Sequence, residues 1–163
     1  MSEEAREVRN PYAGMSDYNC FGCDPGNPAG LRLRFVLEGD RLTSEWTPRK
    51  ELEGYPGVIH GGIQATLADE IGGWYVHAVR GTAGMTRDLQ ITYHQPALAG
   101  DGPFRLEATE VDGDNRNAVI AVTISGAGGT VFSTARVTYA VFSEAVAKKR
   151  LSFPGKEAFL PQE

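Results

Sequence analysis

The sequence predicts an α+β domain in which one long central helix is wrapped by a curved antiparallel sheet of about six strands. Three observations carry this. Between Gly61 and Arg80, the residues Ile63, Leu67, Ile71, Tyr75 and Val79 recur every fourth position, which is one face of an α-helix. On both sides of that segment the apolar period falls to two, the mark of half-buried strands. The strand-like runs are joined by short, turn-rich connections, which make neighbours antiparallel. The apolar arc of the helix, widened by Ala68 and Trp74, exceeds what a surface helix needs, so a single curved sheet is expected around it.

Taken in order, residues 1–18 show no clear period and are expected to be irregular. Residues 19–142 are read as the folded domain. Its opening, Asn19 to Gly30, is dense in turn formers. Leu31–Leu37 alternates as a first strand, Glu38-Gly39-Asp40 turns, and Arg41–Thr47 returns with Leu42 and Trp46 on one face. A loop from Pro48 to Gly57 leads into the helix, expected over Gly61–Arg80. Four further strands follow: Met85–Tyr93, Pro103–Val111, Asn117–Gly126 and Val131–Phe142. Residues 143–163, with an Ala-Lys-Lys-Arg run and two prolines, are expected to form a loosely packed tail.

At 163 residues the chain has the size of one domain with its own core. A net charge of −5 argues against nucleic acid or an anionic membrane as a general partner. There is no apolar run of spanning length and no secretory pattern at the acidic start, so a cytoplasmic location is expected. Cys20 and Cys23 are the two cysteines, spaced C-x-x-C. The Asp24-Pro25-Gly26-Asn27-Pro28 stretch behind them forbids the helix that a redox pair would open. A zinc site would need two more ligands, and the chain holds no second C-x-x-C or closely spaced His pair, so only a dimer could supply them. Two reduced structural thiols in a tight loop are expected, and no metal.

The chemistry concentrates at Gly57-Val-Ile-His-Gly-Gly62. Adjacent glycines at a helix start leave bare N–H groups open to close approach, and the helix dipole favours an oxygen that gains negative charge there. Asp69 stands nine residues beyond His60 on the same helix. On the helical wheel Thr66, Asp69, Glu70, His77 and Arg80 share one side with Gly73. An oxyanion donor and a carboxylate on one element form a hydrolase-like arrangement. His60 reads equally as a ligand-orienting group and as a simple cap. Glu70 is rotated away from Asp69 and reads as a structural or interface partner, or as a substrate contact. His77 is expected at the surface, and His94 has no evident partner.

The His60-Gly61-Gly62…Asp69 motif at a helix start, in this strand context, resembles that of hotdog-fold acyl-CoA thioesterases, the phenylacetyl-CoA thioesterase-like branch in particular. Asn19-Cys-Phe-Gly-Cys…Asn27-Pro28…Gly30-Leu31 is similar to the opening of many uncharacterised members. The resemblance covers roughly residues 19–142. It implies a homodimer, often paired into a dimer of dimers, with active sites at the subunit interface. The N–H of Gly61 would bind the thioester carbonyl oxygen, and Asp69 of the partner subunit would act as nucleophile or general base. His60 would orient the site. Gly62, Thr86, Arg87 and Glu70 are the candidates for contact with an acyl-CoA or acyl carrier protein thioester, with Arg87 read either as a phosphate contact or as an ion pair to Asp88 or Glu70. No metal or bound cofactor is required. Two departures stand out: Gly54 occupies the place six residues before the histidine where an Asn or Gln is common, and Gly73 replaces a hydroxyl found in one branch. The rival readings are a non-catalytic acyl-CoA sensor, a hydratase and an inert structural dimer.

Overall fold

The computed structural model describes residues 4–162. Residues 1–3 of the expected N-terminal segment and residue 163 of the expected tail lie outside them. Seven strands form one antiparallel sheet in the order β1-β2-β3-β5-β6-β7-β4. They are β1 (Arg6–Val8), β2 (Phe35–Glu38), β3 (Arg41–Trp46), β4 (Gly84–Tyr93), β5 (Phe104–Gly113), β6 (Asn117–Ser125) and β7 (Val131–Val141). The central helix α1 runs Gly61–Tyr75 and continues as a five-residue π-turn, Val76–Arg80. Gly81, at φ 75°, closes it in the left-handed conformation that a side chain disfavours.

The helix lies between β3 in the middle of the sheet and β4 at its edge, so the chain must cross the whole concave face between these strands. That crossing is what places α1 against β3, β4, β5, β6 and β7. Strict alternation supplies the matching surface: Phe104, Leu106 and Ala108 of β5 and Ala118, Ile120, Val122 and Ile124 of β6 are buried. They meet Leu67, Ala68, Ile71, Trp74 and Tyr75 of α1 in one core.

The curved sheet around one helix is as expected, and four details are corrected. Arg6–Val8 of the segment expected to be irregular pairs with β2, which makes the sheet seven-stranded. The strand expected from Leu31 starts at Phe35 instead. The N–H groups of Leu31 and Leu33 bond to the carbonyls of Phe21 and Gly22, so this stretch belongs to the C-x-x-C loop. The tail is not loose. Ser143 caps a second helix, α2 (Glu144–Arg150), and Ala147, Phe153, Phe159 and Leu160 are buried. The two phenyl rings lie nearly parallel to the His77 imidazole, at 5.8 and 5.1 Å. His77 is therefore half-buried, not at the surface. Burial lowers its pKa, since the charged form would lose water.

Candidate active site

The start of α1 is built by the sequence around it. His60 is the N-cap, and its Nδ1 accepts from the Gly62 N–H at 2.9 Å. Its carbonyl takes the N–H groups of Ile63 and Gln64. The N–H of Gly61 has no partner among the described residues. Gly61 lines a hollow together with Gly54, Tyr55, Val58, Ile59 and His60. Tyr93, at the end of β4, donates to the Gly61 carbonyl at 2.7 Å and anchors this turn to the sheet edge. Gly54 lies beside the imidazole, where an added Cβ would stand 3.4 Å from His60 Cδ2.

Asp69 follows eight residues after Gly61, about 12 Å along the axis at 1.5 Å per residue. Its Oδ1 accepts from Thr86 Oγ1 at 2.7 Å and from the Tyr139 hydroxyl at 3.3 Å, while the same hydroxyl donates to the Asp69 carbonyl at 2.6 Å. Burial, and then the charge of Asp69, raise the Tyr139 pKa, so this phenol stays a donor. Asp69 and Thr86 line a separate cavity of ≈ 550 Å³, together with Glu70, Trp74, His77, Met85 and Tyr139 among others. Within one chain, Gly61 and Asp69 face different hollows.

Glu70 turns into the depth of the larger cavity. Its Oε1 accepts from Trp74 Nε1 at 3.0 Å and from Cys20 Sγ at 3.5 Å. Burial, with the Cys20 sulfur beside it, pushes its carboxyl up to about 7. Cys20 itself is lowered by a hydrogen bond from Cys23, whose own pKa is raised by that bond and by burial. Both cysteines are free thiols.

The structure thus brings together Asp69, Thr86 and Glu70 in one cavity, and His60, Gly61 and Gly62 at the helix start. Arg87 is in neither. A bulge between Thr86 and Asp88 turns it outward, where it donates to Asn117 Oδ1 at 3.0 Å, and it pairs with neither Asp88 nor Glu70. Lys148, Lys149 and Arg150 are exposed on the last turn of α2. His94 does have a partner, Thr134 Oγ1 at 2.8 Å. Tyr139 was not foreseen from sequence. Its signal is Gly72 in mid-helix: a Cβ there would stand 2.3 Å from the Tyr139 oxygen, so only glycine admits this hydroxyl to Asp69.

A curved antiparallel sheet embracing one long helix, with a glycine-rich helix start and a carboxylate along it, defines the hotdog class. The profile of the thioesterase superfamily matches residues 56–141, and the chain belongs to that family. No curated protein matches the chain. Among solved structures, a thioesterase superfamily protein is similar at 26% identity and TM-score 0.66, over 80% of this chain and 59% of that one, so this chain spans under two thirds of that relative's length. A thioesterase of Haemophilus influenzae shares the fold at 19% identity and TM-score 0.62, over 69% of this chain and 80% of that one. So does a hypothetical thioesterase of Streptococcus pneumoniae, solved with coenzyme A, at 24% identity and TM-score 0.60, over 64% and 83%.

Proposed function

We propose that the protein hydrolyses acyl-CoA thioesters to the free acid and thiol, in sites shared between two copies of the chain. The observation that carries this reading is the unpartnered Gly61 N–H at the positive end of α1, with Asp69 held some two turns away in a different hollow. One chain cannot bring the two together, because a helix does not fold back on itself. Two chains related by a two-fold axis can, by setting the start of one α1 against the Asp69 of the other. Strand β4 supplies a surface for this. It is the sheet edge, ten residues long, with Met85 and Tyr93 57% and 47% exposed, and an uncovered edge of that length is a template for pairing with another chain.

In the composite site the thioester oxygen lies against the Gly61 N–H, and the developing oxyanion is stabilised by that donor and the helix dipole. Thr86 and Tyr139 occupy Asp69 Oδ1, which leaves Oδ2 to attack the carbonyl or to draw a proton from the attacking water. A thiolate leaves readily, so a carboxylate suffices without a stronger nucleophile. His60 holds the helix start by capping Gly62. The coenzyme A in the Streptococcus pneumoniae structure supports CoA as the carrier of the thiol. Thr86 and Glu70 line the cavity offered to the acyl group, and a cytoplasmic location remains our expectation.

Thiol release from a panel of acyl-CoAs tests the proposal. Asp69→Ala should lower turnover by about 10²–10⁴-fold with folding and assembly intact. Unchanged turnover would refute the assignment, and binding without turnover in the wild type would favour a sensor.

A further inference from the structure

The C-x-x-C loop has a third member that sequence spacing does not show. Cys20 Sγ, Cys23 Sγ and a Glu70 carboxylate oxygen all lie within 4.8 Å of one another. We propose that Cys20, Cys23 and Glu70 form a binding site for a thiophilic divalent cation of the zinc class, with its fourth position open to the cavity beside Asp69.

Geometry supports it first. On a tetrahedral zinc ion, a sulfur at about 2.3 Å and a carboxylate oxygen at about 2.0 Å stand about 3.5 Å apart. Cys20 Sγ and Glu70 Oε1 are 3.5 Å apart. The approach is built into the backbone. An added Cβ at Gly22, between the two cysteines, would stand 2.2 Å from the Glu70 carboxyl carbon, so the loop closes on the carboxylate only because this residue is glycine. The loop is held in that shape by Asp24 N–H to the Cys20 carbonyl and by the Leu31 and Leu33 N–H groups described above.

Charge is the second support. Glu70 has no Lys, Arg or His in ion-pair contact among the described residues. A half-buried carboxylate set against two sulfurs, with only neutral donors around it, lacks a counter-charge that a dication would supply. The outer partners are also in place. Tyr18 OH lies 2.7 Å from Cys23 Sγ, Asn10 Nδ2 donates to the Cys23 carbonyl at 3.1 Å, and Trp74 Nε1 donates to Glu70. Such groups orient ligands and raise affinity. Cys20, Cys23 and Glu70 all line the large cavity, which gives the ion an entry path and leaves one coordination position free. The ion would tie the N-terminal loop to α1 as the roof of that cavity. The site shares its cavity, through Glu70, with the hydrolysis reading, but its evidence is the loop and helix geometry, and metal titration without substrate tests it separately.

Cobalt(II) titration of the reduced, untagged full-length protein tests it. The expected result is one equivalent bound, with thiolate-to-cobalt charge-transfer absorption that zinc abolishes by displacement. Cys20→Ser and Cys23→Ser should each lose most of that absorption. Tyr18→Phe should keep it and bind about 10- to 100-fold more weakly, as for loss of an outer partner; Glu70→Gln should bind more weakly still. Absence of charge-transfer absorption in the reduced wild type at saturating cobalt overturns the site. So does an unaltered titration in Glu70→Gln that circular dichroism shows to be folded. If Glu70→Gln does not fold, an unaltered titration in Cys20→Ser overturns it equally.

Discussion

Asp69 is positioned by two hydroxyls that reach it from adjacent strands, Thr86 on β4 and its cross-strand partner Tyr139 on β7. Both load Oδ1, so they fix which oxygen is free. A hydrogen bond to a charged group contributes about 1.5–3 kcal/mol, so Thr86→Val should lower kcat by about 10-fold or more with little change in KM. Steady-state kinetics check this, and an unaltered kcat would mean that Thr86 does not orient the carboxylate. The donor at the other end can be removed by a residue that keeps the helical backbone, at the cost of pressing on the Tyr93 ring, which stands 3.3 Å from a Cβ added at Gly61. Proline is accepted at the first helical position, and His60 already has the extended conformation that precedes it. Gly61→Pro therefore deletes one N–H and should slow hydrolysis by about 10²–10³-fold.

At the scale of elements, α1 is shaped by what crosses it. Gly72 costs helix propensity, yet the Tyr139 oxygen occupies the space a methyl group would need. Gly72→Ala should destabilise the fold by about 1–3 kcal/mol through overpacking. Tyr139→Phe in the same chain should restore only part, since ring carbons stand 3.0 Å from the added Cβ. Denaturant unfolding reads both. The end of α1 makes a different bond with the tail, through His77 stacked with both Phe153 and Phe159, which also contact each other. Its pKa is lowered in the fold relative to the unfolded value near 6.5. The folded state thus binds fewer protons, so the stabilisation is present above about pH 6.5 and is lost as pH falls below it. Thermal unfolding should show a steeper acid loss of Tm in the wild type than in His77→Phe; equal slopes would mean that His77 does not titrate against the aromatic stack.

At the scale of the whole molecule, the proposed site is completed by a second copy. Mixing Asp69→Ala with Gly61→Pro chains tests that arrangement directly. A mixed dimer contains one site with an intact Gly61 from one chain and an intact Asp69 from the other. Equal mixing should thus recover about a quarter of wild-type activity from two nearly inactive proteins. No recovery after demonstrated subunit exchange, or a monomer in sedimentation, would exclude a site shared across chains.

Much of this protein was legible without coordinates, because local physics decides it. The fourfold period of Ile63 to Val79, the alternation in β5 and β6, and the His60-Gly61-Gly62 start with Asp69 all depend on neighbours in the chain, and they sufficed for the fold and the family. Contacts between distant segments left no such mark. The pairing of Arg6–Val8, the burial of Phe153 and Phe159 on His77, the Tyr139 hydroxyl and the bulge that turns Arg87 away depend on which strand lies beside which. The C-x-x-C pair shows the division most clearly. Spacing alone supplies two sulfurs, and only the packing of the loop on α1, through the missing side chain of Gly22, sets Glu70 against them. Periodicity is a property of the chain, whereas convergence of side chains fifty residues apart is a property of the packed sheet and helix.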